Sequence, residues 1–187
     1  NTVARNEDLV VFNLQDLWDG REIVELDMKE FLFKGLIVKE EPFRESIKEH
    51  DWTQYEDLHV AIYCSEDTIL PQWATMLVAS KLRKYAVSVT LGRQDDLLRE
   101  YYVAALETHD WSEYEDRIVL IKGCGSDYVP ASAYVQVVWH LQSTAKKLMY
   151  GEDCSNVPIW RESQKSKSSS ADTKSAAVKK PDLPSGS

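Results

Sequence analysis

HDWTQYED at residues 50–57 returns as HDWSEYED at residues 109–116. Six of the eight positions are identical, and the other two exchange Thr53 for Ser112 and Gln54 for Glu113. No helix or strand period writes eight such letters twice, so the pattern points to copying of a larger unit. The register holds outward from the motif. Trp52 to Pro71 and Trp111 to Pro130 are both 19 residues, and Ala74/Ala133, Val78/Val137, Leu82/Leu141, Ala86/Ala145 and Gly92/Gly151 keep the same offset.

Each copy reads as strand, loop, helix. VAIY (60–63) and IVLI (118–121) are short apolar runs of the kind found in strands buried on both faces. A polar or glycine-bearing loop follows, and Pro71 or Pro130 opens a helix, where a missing N–H costs nothing. The second of these helices is expected from Pro130 to Leu148. VSVTLG (87–92) reads as a strand, DDLLREYYVAALETHDW as a helix, REIVEL as a strand, and Asp27 as the start of a short helix. LIVKE (36–40) is a further candidate strand, followed by a helix over EEPFRESIKEHDW. Alternating strands and helices imply an α/β fold of three layers with a mostly parallel sheet and an internal duplication of a strand–helix unit. The expected organisation is a single domain over 1–162, with repeats at about 50–92 and 109–151, and a disordered Ser/Lys-rich tail over 163–187.

In this reading the histidine of HDWxxYED sits at a helix end, Trp and Tyr cap the core, and Asp57 and Asp116 serve the turn. A rival reading pairs His50 with Asp51, and His109 with Asp110, for acid–base work. His59 and His140 read as satisfied structural groups, and Trp139 as core.

The formal charge is −9; residues 161–187 carry +3, which leaves −12 on residues 1–160. Such a body repels phosphate backbones, so nucleic acid is not an expected partner. No apolar run approaches the ~18 residues of a membrane span. The opening NTVARNEDL has no signal core or lipidation pattern and reads as starting just inside the true start. Three cysteines with no CxxC fit a reducing cytoplasm.

Chemistry is expected where strands end and helices begin. Cys64 and Cys124 fall there, in CSEDTILP and GCGSDYVP, with Ser65, Asp67, Ser126 and Asp127 as candidate pocket polar groups. A thiol near a helix N-terminus can act as nucleophile or metal ligand, and zinc or an iron–sulfur group would suit it. Cys154 could complete a three-thiol shell, although a helix running to Leu148 would carry it away from the other two. The competing interpretation packs the thiols as small hydrophobes. No phosphate loop, HExxH or GxSxG occurs.

FLFKGLIVKEEPFRE, HDWTQYED, CSEDTILPQWATMLVASKL, IKGCGSDYVPASAYV and MYGEDCSNVPIW resemble, in this order, the bacterial family labelled Domain of Unknown Function 2480. The resemblance covers nearly all of residues 8–160. It implies a short soluble cytoplasmic protein without assigned activity, whose genes lie near those for iron–sulfur assembly. The family's C-terminal phrase has Pro where Asp153 stands and Thr where Asn156 stands, both flanking Cys154. Two functions follow as expectations: a thiol-bearing accessory factor in metal or iron–sulfur handling, or a non-catalytic protein-interaction module with structural cysteines. A small-molecule enzyme with Asp67 or Asp127 as acid or base ranks behind both.

Overall fold

The computed structural model describes residues 8–122, 127–152 and 155–162. Seven strands and four helices alternate along them: β1 (Leu9–Asn13), β2 (Ile23–Asp27), α1 (Glu40–Glu49), β3 (His59–Tyr63), α2 (Gln72–Leu82), β4 (Ser88–Leu91), α3 (Gln94–Thr108), β5 (Ile118–Lys122), α4 (Ala131–Leu141), β6 (Lys147–Glu152) and β7 (Ser155–Arg161). The fold is α/β and mostly parallel, as expected. Its strands form two sheets rather than one, in the orders β2-β3-β4 and β1-β5-β6-β7. All pairings are parallel except β6 with β7.

The β2-β3-β4 sheet lies in a helix–sheet–helix sandwich. On one face Leu26, Val60 and Ile62 pack with Phe43 and Ile47 of α1 and Val78 and Leu82 of α2. On the other face lies α3, where Glu100 accepts a hydrogen bond from the Thr90 hydroxyl at 2.8 Å. Cover on both sides explains why four of the five β3 residues are buried. The far side of α3 joins α4 against the second sheet, in a cluster of Phe12, Tyr102, Leu106, Val119, Val137, Leu141 and Leu148. A fourth layer is thereby added.

Elements of the two halves correspond at the offset of the quoted motif. β3 and β5 begin at 59 and 118, α2 and α4 at 72 and 131, β4 and β6 at 88 and 147. Asp57 and Asp116 share the left-handed region at φ 60° and 57°. Their backbone N–H groups donate to Tyr85 O and Thr144 O at 3.2 and 3.0 Å. Gly92 and Gly151 match at φ 138° and 141°. The correspondence also reaches strands absent from the quoted register. β1 and the 3-10 turn Leu14–Leu17 hold beside β5 the place that β2 and the turn Met28–Phe31 hold beside β3. Residues 23–92 therefore sit inside the chain path of the other half, between its first strand and α3.

Three elements differ from the sequence expectation. LIVKE forms no strand: residues 34–36 turn, with Lys34 and Gly35 at positive φ, one isolated bridge joins Phe33 to Ile37, and Glu40 already opens α1. α4 ends at Leu141, and Lys147–Glu152 form β6. Strand pairing with β5 outweighs the helix preference of Lys, Leu and Met. β7 carries Pro158, which an edge strand tolerates, at the register shift between Leu148 and Met149. No helix among the described residues is long and apolar enough to cross a membrane.

Valine at position 57 or 116 must hold a β-branched side chain at φ near +60°. Asp57→Val and Asp116→Val are expected to cost about 1–2 kcal/mol each in urea unfolding, and Asp→Gly at the same sites far less. Gly92→Ala should cost about 1–3 kcal/mol, since its Cβ would meet the Asp96 carboxyl group.

Candidate functional site

The repeated octapeptide is a helix-ending device. His50 and His109 are the C-cap residues of α1 and α3. The Trp52 and Trp111 indole N–H groups donate back to Ile47 O and Leu106 O at 2.9 and 3.2 Å, satisfying carbonyls that the helix end leaves open. Asp51 accepts from the Thr53 amide, and Asp110 from the Ser112 amide, both at 3.0 Å. His50 Nε2 instead meets the Tyr55 hydroxyl at 3.0 Å. In the first copy the adjacent His and Asp thus serve different partners.

Cys64 follows β3 at the carboxyl rim of the β2-β3-β4 sheet, half-buried against the apolar cluster. Ser65 and Asp67 are exposed. Charged groups here are mutually engaged. Asp27 accepts from the Ser65 and Lys29 amides at 3.0 Å each. Burial opposes ionisation of Asp27, but hydrogen bonds from Ser65, from the Lys29 amide and from Tyr63 outweigh it and lower its pKa. Lys29 pairs with Glu66. Arg93 reaches Glu25 at 2.7 Å and lies 3.4 Å from the centre of the Tyr63 ring.

The single sheet expected to place both thiols at its strand ends is corrected: β3, which leads to Cys64, and β5, the strand before Cys124, lie in different sheets. The length argument that carried Cys154 away is corrected too, since α4 has 11 residues, ending at Leu141 and not at Leu148, and β6 runs back parallel to β5. Cys124, Ser126 and Cys154 themselves lie outside the described residues. Among the described residues no three His, Cys, Asp or Glu side chains converge as a metal site. Asp127 is exposed and lines, with Asp95, Arg99 and Ser132, a cleft of about 290 Å³ between the starts of α3 and α4.

Sequence reading did not single out the polar chain at the other end of β3. His59 is 1% exposed. Its Nδ1 lies 2.7 Å from Ser88 Oγ, and its Nε2 lies 3.1 Å from both Asp19 oxygens. Burial works against charge on Asp19, yet hydrogen bonds from the Arg21 amide, His59 and the Arg21 guanidinium prevail and lower its pKa. Trp18 and Tyr101 close over the imidazole with ring centroids at 4.9 and 5.5 Å. Asp19, Trp18 and Tyr101 belong to one half of the fold and His59 and Ser88 to the other. The chain is a clasp between halves, and its counterparts at the repeat offset, Ile118 and Lys147, cannot form one.

Trp139, expected in the core, is 78% exposed, and Val135 one turn earlier is 70% exposed. The α4 stripe that enters the core is Ala133, Val137 and Leu141 instead. Beside the exposed pair, Tyr134, Val138, Ile121, Tyr150 and Ile159 line an apolar cleft of about 240 Å³. Val157 and Ile159 of β7 extend this surface, being 53% and 45% exposed. Position along a helix period located these residues on one side of α4; only the placement of the sheet decided which side faces outward.

The family model for a protein of unknown function, DUF2480, matches residues 1–162. The chain belongs to this family. No curated protein and no solved structure matches it. The DUF2480 assignment covers the whole described fold, both sheets included.

Because Asp19 has a lowered pKa in the folded protein, its contribution is complete above the usual carboxylate range, near pH 4, and is lost as pH falls through the lowered value. Asp19→Asn should destabilise at pH 7 by about 1 kcal/mol and show a shallower loss of stability below about pH 4, measured by urea unfolding across pH.

Proposed function

We propose that this DUF2480 protein is a non-catalytic protein-interaction module that binds through the outer face of α4. The observation carrying this reading is Trp139, a large aromatic side chain left 78% exposed beside Val135 and an apolar cleft. Tryptophan is the residue most often found as a binding anchor, and a contiguous apolar surface on a folded domain usually marks a contact site. The cleft falls below the roughly 300–1,000 Å³ of ordinary ligand pockets, so it fits one side chain better than a cofactor.

A second reading keeps the thiol-bearing accessory factor in metal or iron–sulfur handling. What favours it is the place of Cys64, a free thiol half-buried directly after β3 at the carboxyl rim of its sheet. The unpaired Cys64 and the odd cysteine count support a reducing, cytoplasmic setting. The matched offsets support descent of the two halves from one copied unit.

A photo-reactive phenylalanine analogue at position 139 tests the first reading. It should give one discrete protein adduct in cells, and the same probe at exposed Lys81 should give none. Absence of any adduct at position 139 would remove the reading. Changing Cys64, Cys124 and Cys154 together to Ser should leave the adduct intact, whereas the thiol reading predicts its loss.

A further inference from the structure

We propose that the occupant of the α4 face is a second copy of this chain, docked about a two-fold axis so that α4 lies antiparallel to its counterpart. This rests on the interaction reading above and names the partner. The charge pattern is the first argument. Each chain carries −9, so two copies repel unless they meet where charge is absent. From Tyr128 to Ala145 there is no Asp, Glu, Lys or Arg. The cleft residues Ile121, Tyr134, Val138, Tyr150 and Ile159 are uncharged as well. A basic partner would call for carboxylates on the binding face, and among the described residues neither α4 nor the cleft lining offers one.

Geometry supplies the second argument. Trp139 and Val135 project from α4, and Tyr134 and Val138, each one position earlier, line the cleft beside them. Knob and hole share one helix. A knob whose hole lies elsewhere on the surface propagates into open chains, but a self-complementary patch closes as a dimer. In the dimer each Trp139 covers the partner's α4 and enters the partner's cleft, and Ile159 and Val157 flank the contact.

Sedimentation velocity of the full chain across concentration, with the mass of the position-139 adduct, tests the proposal. The wild type should sediment as a reversible dimer, and the adduct should have twice the chain mass. Trp139→Glu and Val135→Glu should each weaken dimerisation at least about tenfold, with unchanged circular dichroism because both side chains are exposed. Trp139→Phe should retain the dimer. Raising salt from about 0.05 to 0.5 M should tighten it, since screening relieves repulsion between acidic copies. A wild type that stays monomeric at high concentration, or a dimer indifferent to both Glu variants, overturns the proposal. An adduct to a different protein overturns self-association while leaving the interaction reading standing, and no adduct at all removes both.

Discussion

Helix α3 is used on both of its sides, and the placement of every other element follows from that. Its last ten residues correspond to α1 and pack into the core of the four-stranded sheet through Tyr102 and Leu106. Its first five residues have no counterpart in α1 and reach over the three-stranded sheet instead. There Glu25 of β2 accepts from the Gln94 amide at 2.9 Å, which caps the start of the helix with a carboxylate where the helix dipole is positive. Tyr101 and Tyr102 donate to Leu17 O and Leu14 O at 2.8 and 3.1 Å, tying the same helix to the turn after β1. A helix so constrained cannot shift without disturbing both sheets.

That shared helix explains where the halves stop resembling each other. The side of β3 covered by α3 carries His59 and Ala61; the equivalent side of β5 carries Ile118 and Leu120. Small and polar residues suit a surface against which another half must dock closely, with the His59 nitrogens satisfied by Ser88 and Asp19 and the neighbouring Thr90 hydroxyl donating to Glu100. The helices differ in the same way. α3 touches both sheets and leaves mainly polar residues such as Asp95, Arg99 and Glu107 to solvent, whereas α4 has one side on the core and leaves Trp139 and Val135 uncovered. Exposure of this pair is a consequence of layer order and not of α4's own composition.

Much of the architecture was legible because the octapeptide marks helix ends, and these are set by local chemistry: an indole returning to a helix carbonyl, a capping Asp, a left-handed residue before a strand. The strands β2 to β5 were readable from their short apolar runs, and α2 and α4 from the prolines at their starts. β6 was misread as helix because KKLM has helical preferences that only pairing with β5 overrides. β7 and β1 escaped notice because a proline in one and a short isolated run in the other signal little without a neighbouring strand. Cys64 was correctly placed at a strand end, but its relation to the other thiol loop depended on sheet membership, which no local pattern carries.

By itself the sequence determined the α/β class and the helix-ending role of HDWxxYED, since each rests on residues within a few turns of one another. Tertiary structure alone decided that the halves build separate sheets, that the segment from β2 to β4 nests inside the path of the other half, and which side of α4 meets solvent. Those choices depend on long-range pairing of β1 with β5 and on a helix packed on two sides. Contacts between residues about a hundred positions apart leave no periodic trace along the chain.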